Sequence, residues 1–243
     1  MTSRGVADMA RPRLLDLFCG AGGAAMGYHR AGFDVVGVDL VMRRGYPFQR
    51  VQADALWFAS AHGHHFDAIH ASPPCQAYSV ATPEHCRSSH PDLVGPTREV
   101  LAATGRPWII ENVPGAPLRV DYKLCGCMFG LARLKRERWF ETSWKGFDLR
   151  PPCWHPERPI TVVSGGRQSH ETWAPRGHAD LMALRSDAMG ITWIPMDHQG
   201  RNDLALAIPP AYTEYLGGLL LAELEGAACE SLRSSAAGCD GAS

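Results

Sequence analysis

Cys75 stands in "SPPCQAYS", residues 72 to 79, directly behind two prolines and just after the strand-like run "FDAIHA". Proline fixes its own φ and pushes the residue before it toward extended backbone. A Pro-Pro pair at a strand end therefore makes a rigid exit and holds Cys75 at an edge. A thiol held there can be a positioned nucleophile, or a small buried hydrophobe, the usual fate of a lone cysteine. A second chemistry-bearing group lies upstream in "DLFCGAGG", residues 16 to 23. Gly20, Gly22 and Gly23 let the backbone approach a ligand at a helix N-terminus, or merely ease helix–strand packing. Asp39, roughly twenty residues on and at the end of the next strand, is placed to accept hydrogen bonds from ribose hydroxyls. Asp54 in "VQADAL" either faces the adenine side or is a turn or cap aspartate. Ligands of open α/β sheets bind outside the carboxyl ends of the strands. Cys75 and Glu111 both fall at such ends.

The elements that must position these residues alternate. "RLLDLFCGAGGAAMGYHRAGFDVVGVDL" reads as strand, glycine turn, helix, strand. "FDAIHAS" and "RPWIIENV" are two further buried strands bounded by turn residues, and "RWFETS" and "RPITVVSGG" are later ones. Such alternation implies right-handed crossovers and a mostly parallel, doubly wound α/β sheet covered on both faces. "PPAYTEYLGGLLLAELE" is a helix with proline near its start and a strongly apolar face. No internal repeat or long linker interrupts the chain.

The 243 residues suffice for one packed domain, and 24 Lys+Arg against 25 Asp+Glu nearly cancel. A neutral total still permits a local basic face for nucleic acid. The start, "MTSRGVADMARPR", has no apolar signal core, and no run is expected to approach transmembrane length. The eight cysteines are therefore read as reduced thiols or metal ligands of a cytoplasmic protein. Residues 1–12 are expected to form an arm, 13–225 a single catalytic domain, and 226–243 a disordered tail of small polar residues.

"DLFCGAGG", "PPCQAYS", "ENV", "RER" and "IPP" occur in that order. Together they resemble the motifs of the cytosine-5 DNA methyltransferases, over residues 14 to about 220. The resemblance implies a Rossmann-like class I methyltransferase fold and S-adenosyl-L-methionine as cofactor. It makes Cys75 the nucleophile that adds to carbon 6 of cytosine, turning carbon 5 into an enamine-like nucleophile. Glu111 would bind the ring nitrogen and exocyclic amine, and Arg138 the base carbonyl oxygen. Phe18, Gly20, Gly22, Gly23, Asp39, Asp54 and Pro74 would surround the cofactor. Gln76, Ser79, Asn112, Arg98 and Arg136 would serve the substrate, Arg136 by holding a loop or a phosphate. The target base must leave the duplex stack, and "SVATPEHCRSSHPDLVGPTRE" has the length and polarity of a mobile loop that closes over it. Arg87, Ser88, Ser89 and Arg98 there are candidate backbone contacts.

Two departures qualify the resemblance. Only residues 139–157 and 166–185 remain for target recognition, too few for a domain with its own core. The form is that of phage-borne or mobile-element enzymes acting in a bacterial cell or infected host, in self-protection or restriction-modification, with a short sequence preference read by Arg150, Arg167, Gln168 and His170. In the last motif, "LALAIPP", Leu206 replaces an asparagine. A polar contact near cofactor and nucleophile is missing or supplied elsewhere, and a modified sulfonium donor stays open beside methyl. An RNA cytosine-5 methyltransferase and a silent nucleic-acid-binding relative are the alternative readings. Neither a membrane nor an obligate protein partner is expected. Cys125, Cys127, Cys153 and His155 are four soft ligands, but C-x-C and C-x-H are tighter than usual ligand pairs, so no metal is expected.

Overall fold

A computed structural model describes residues 10–146, 152–155, 160 and 178–237. Its strands are β1 (Arg13–Leu17), β2 (Asp34–Asp39), β3 (Gln49–Gln52), β4 (Ala68–Ala71), β5 (Trp108–Asn112), β6 (Tyr122–Leu124) and β7 (Arg138–Thr142). They form one sheet in the order β3-β2-β1-β4-β5-β7-β6. The first five strands pair in parallel, and β7 runs antiparallel to both its neighbours. The helices are α1 (Gly23–Ala31), α2 (Ala55–His62), α3 (Glu84–Arg87), α4 (Val94–Ala103), α5 (His178–Met189), α6 (His198–Leu206) and α7 (Pro210–Ala237). This is the expected Rossmann-like, mostly parallel, doubly wound architecture.

The central strands are buried on both faces, and their alternation sorts residues between two cores. Leu14, Val35, Ile109 and Phe140 pack with Tyr28 of α1 and with Tyr212, Leu216 and Leu220 of α7. Leu15, Leu17, Val36, Val38 and Ile110 pack with Ala59 of α2 and Leu101 of α4. A third cluster joins Met182 and Met189 of α5 to Leu204 of α6 and Ala21 of the glycine turn.

Several expected boundaries move. β6 is a strand that periodicity missed; β3, "QRVQ", the strand that ends just before Asp54, is an exposed polar edge and carries no apolar alternation to read. "RPITVVSGG" lies outside the described residues except Ile160, which bridges to Leu134. α7 continues to Ala237, so the tail expected from residue 226 begins as helix. Its alanine, serine, leucine and glutamate composition lacks an apolar stripe but contains no helix breaker after Gly226. The expectation that no run approaches transmembrane length is also corrected. His198–Ala227 is long and apolar enough by composition, yet 61% of its most apolar window is buried inside the protein. Here length and apolarity belong to a core helix packed against α1.

Candidate active site

The chain leaves β1 through Phe18, which has φ 58°, and Gly20, which has φ 50°. A non-glycine residue in the left-handed region is costly and persists where its surroundings over-determine it. The surroundings are explicit. Cys19 N donates to Val38 O at 3.2 Å, Gly22 N to Cys19 O at 3.0 Å, and Gly20 N to Asp39 Oδ2 at 2.9 Å. Asp39 Oδ1 accepts from Val41 N at 2.9 Å. The β2 carboxylate thus braces the turn as well as facing the cavity beside it.

That cavity, of about 330 Å³, opens at the carboxyl ends of β1, β2, β4 and β5. Phe18, Gly20, Asp39, Asp54 and Pro74 line one side; Cys75, Gln76, Glu111 and Arg138 line the other. Gly22 and Gly23 are not in its wall. A Cβ on Gly22 would stand 2.9 Å from Pro47 Cδ, and one on Gly23 would stand 2.3 Å from Ile208 O. Other chain segments pack against them, and Gly22 also holds φ 84°. Asp54 lines the cavity and caps α2, its second reading, by accepting from Trp57 N at 2.8 Å.

Cys75 is half-buried and not in a disulfide. Its carbonyl accepts from Tyr78 N and Ser79 N, which curls the chain directly behind it. Asn112 Nδ2 donates to Pro73 O at 3.0 Å, locking the Pro-Pro exit to the end of β5. Asn112 is buried, so its expected substrate contact becomes a positioning role. Ser79 Oγ accepts from Ala81 N, and Gln76 alone of those two lines the cavity.

Glu111 and Arg138 meet because of strand register. Glu111 pairs with Phe140 and Asn112 with Trp139, so Arg138 stands diagonal to Glu111 on the same face. Arg138 Nε lies 3.0 Å from Glu111 Oε1. Burial pushes the Glu111 carboxyl up, against the opposing pull of Arg138, Arg136 and the Ser72 hydroxyl. Burial and then the Glu111 charge also push the Cys75 thiol up, while Arg138 pulls it down. Behind Ser72, His70 Nε2 lies 2.8 Å from the Ser72 hydroxyl and His70 Nδ1 3.0 Å from Tyr28 Oη. Burial lowers His70 to about 3, so this chain of groups is neutral.

The structure places other expected residues elsewhere. Arg136 is buried, and its Nη2 donates to Ala205 O at 2.7 Å and Ala207 O at 2.8 Å. It holds the "LALAIPP" loop, the first of its two expected roles, and is not at a phosphate. Arg98 makes two 2.7 Å bonds to Glu141 and one of 2.9 Å to Pro117 O, clasping α4 to β7. Arg98 is thus placed outside the cavity lining, in the clasp between α4 and β7. The stretch expected to be a loop after Cys75 contains α3 and the start of α4. Arg87 and Ser89 there bond local carbonyls, of Thr82 and Cys86. Arg150, Arg167, Gln168 and His170 lie outside the described residues.

Three cavity residues went unread in the sequence. Asp16 is buried beneath the turn; its Oδ2 has no hydrogen-bond partner among the described residues, and burial with the nearby Asp39 charge holds its carboxyl well above the usual range. A lone acid inside the apolar run "LLDLF" was the available signal. Arg43 Nη1 lies 3.0 Å from the buried Asp203 Oδ1, and both line the cavity near Leu206. This pair puts polar groups in the wall where the motif's asparagine is absent. Nothing in the sequence links residues so far apart.

The chain has a Rossmann-like fold with a cavity at its strand ends, and it is similar in sequence and fold to the following methyltransferases. Over 166 residues the chain is 29% identical to the type II methyltransferase M.AplI of Arthrospira platensis, covering 54% of this chain and 46% of that protein. It thus spans about half the length of the curated relative it matches. Among solved structures, a mutant DNMT2 of Spodoptera frugiperda is similar with a TM-score of 0.53 at 13% identity, covering 86% of this chain and 99% of that one. The methyltransferase EhMeth of Entamoeba histolytica gives 0.56 at 11% identity, covering 88% and 99%. No protein-family model matches the chain.

Proposed function

We propose that this protein is an S-adenosylmethionine-dependent methyltransferase that modifies carbon 5 of cytosine in DNA, with Cys75 as covalent nucleophile. One observation carries the reading: Cys75 and the Glu111–Arg138 pair line the same cavity as Phe18, Gly20 and Asp39. The residues fit the cofactor. Asp39 presents its carboxylate where a ribose diol would sit, and the orphaned Asp16 carboxyl oxygen suits a cationic or hydrogen-donating group. When bound, S-adenosylmethionine supplies a methyl group on a sulfonium, which leaves as a neutral thioether.

Cys75 gives up its proton to solvent, and its sulfur adds to carbon 6 of a base flipped from the stack. Carbon 5 gains the electron density to take the methyl group. A water then takes the proton from carbon 5, the C–H electron pair re-forms the C5–C6 double bond, and the C6–S bond breaks to return the thiolate. Glu111, whose carboxyl burial pushes up, bonds the ring nitrogen as charge develops there, and Arg138 bonds the carbonyl oxygen. Short recognition segments would read one or two neighbouring bases, each good bidentate contact giving about 1–3 kcal/mol of discrimination.

The test is covalent trapping. DNA containing 5-fluorocytosine is expected to form an adduct that survives denaturing electrophoresis, because fluorine blocks the elimination that frees Cys75. No adduct under conditions of measurable transfer overturns the covalent mechanism. Transfer to RNA alone replaces the substrate and leaves the chemistry in place.

A further inference from the structure

Cys125 follows β6 directly, and Cys127 lies in the adjoining 3-10 turn Gly126–Phe129. Cys153 and His155 arrive from a separate segment, residues 152–155, yet the four ligand atoms all lie within 4.8 Å of one another. Cys125 Sγ is 3.3 Å from His155 Nε2, Cys127 Sγ is 3.4 Å from Cys153 Sγ, and Cys153 Sγ is 2.9 Å from His155 Nε2. The tight C-x-C and C-x-H spacings argued against a metal only while each pair was considered alone. In space the two pairs face each other.

We propose that Cys125, Cys127, Cys153 and His155 bind one zinc ion as a structural Cys3His site. A tetrahedral ion with Zn–S of about 2.3 Å and Zn–N of about 2.0–2.1 Å sets its ligand atoms about 3.5–3.8 Å apart. The three closest separations fall somewhat short of that spacing and none exceeds 4.8 Å, so the cluster needs adjustments of about an ångström or less to close on an ion. The imidazole is already oriented. His155 Nδ1 lies 3.3 Å from Ala132 O, and a carbonyl only accepts, so Nδ1 carries the hydrogen. Nε2 then presents its lone pair toward the sulfurs, the arrangement in which a backbone carbonyl fixes a ligating histidine. Arg136 N donates to Cys125 Sγ at 3.3 Å, a bond that favours a thiolate there. A Cys127–Cys153 disulfide would use two of the four groups and leave the orientation of His155 without a purpose. On binding, the three thiols release their protons and the ion takes three sulfurs and one nitrogen.

The site has a mechanical consequence. It ties residues 152–155, within a region too short for a core of its own, to the turn after β6. A metal is a usual substitute for such a core. The same Cys125 sulfur is bonded to the Arg136 peptide, two residues before Arg138. The ion would therefore anchor the base of the strand that carries Arg138 into the cavity.

The experiment uses the full chain, expressed with zinc and purified under reducing conditions, with metal measured by inductively coupled plasma mass spectrometry. One zinc per chain is expected. Cys127→Ser combined with Cys153→Ser should reduce it at least tenfold, whereas Cys86→Ser, outside the cluster, should leave it unchanged. His155→Cys supplies a fourth thiolate and should retain the ion, which separates metal loss from misfolding. Cobalt(II) in place of zinc should show tetrahedral d–d absorption with thiolate charge transfer, lost in the double variant. Zinc-free folded protein that takes up none from added zinc overturns the proposal. So does zinc retained by the double variant, or a Cys127–Cys153 disulfide found by mass spectrometry in cells lysed into a thiol-alkylating reagent without reductant.

Discussion

Asp39 and Arg138 face one cavity but reach it by different routes. Asp39 ends a parallel strand, one neighbour from the strand that launches the glycine turn, and its carboxylate is tied to that turn by backbone bonds. Phe18, Asp16 and Cys75 likewise stand at or just beyond parallel strand ends. Arg138 arrives on an antiparallel strand from a later part of the chain. Its neighbour Arg136 is buried against Ala205 and Ala207, and Tyr212 Oη donates to the Arg136 carbonyl at 2.7 Å. The Asp39 side, proposed for the cofactor, is therefore positioned by neighbouring strand ends and local bonds, whereas the Arg138 side, proposed for the substrate, depends on a buried guanidinium spanning distant segments.

If that contrast is right, perturbations on the two sides fail in different ways. The largest effect on transfer is expected for Cys75→Ser, a loss of about 10³-fold or more in label transferred to DNA, with Tm and cofactor affinity unchanged. Arg138→Ala should cost about 10²–10³-fold in kcat, because it removes a donor to the reacting base. Arg136→Ala should instead appear in stability. It strips two buried carbonyls of their donor, costing about 2–4 kcal/mol, and Tm falls by about 2–4 °C for each of these. Equal thermal losses for the two arginine variants would erase the distinction.

On the cofactor side, Asp39→Ala should weaken S-adenosylmethionine binding by about 1–3 kcal/mol, measured by calorimetry. Asp39→Asn should retain part of that affinity, since its amide oxygen can still accept from Gly20 N or Val41 N. Asp16→Asn should raise the Tm of the cofactor-free protein at neutral pH. The native Asp16 carboxyl titrates above its unfolded value, so stability falls as pH rises through the range between the two. The gain from asparagine should accordingly shrink toward acid pH, where the carboxyl is protonated in both states.

The smallest effects concern Cys75 in the free enzyme. Its thiol is raised, so alkylation by iodoacetamide should increase with pH beyond the range of an ordinary cysteine. Glu111→Gln removes the charge that disfavours the thiolate and should move the midpoint down. Arg138→Ala removes the opposing charge and should move it up. Shifts of the same sign would mean that the two groups do not act on Cys75 electrostatically.

The legible parts of the site were those where local chemistry and position in the chain agree. "PPCQ" and "DLFCGAGG" declare rigid exits and turns through proline and glycine, and both follow apolar runs that read as strands. Arg98 and Asn112 have internal partners that the sequence did not show, for a shared reason. Their residue types suit nucleic acid, but their partners Glu141 and Pro73 lie 43 and 39 residues away. Gly22 and Gly23 were read as ligand glycines, although the atoms that forbid a side chain belong to Pro47 and Ile208.

The sequence by itself determined the alternating elements, the parallel sheet and the presence of Cys75, Glu111 and Arg138, because hydrophobic period and turn residues act over a few positions. Tertiary structure alone decided that Glu111 meets Arg138, that Asp203 meets Arg43, and that Cys125 and Cys127 meet Cys153 and His155. Each of these contacts depends on strand register or on two loops folding back together. Register and loop closure are set by the packing of the whole core, which no local spacing encodes.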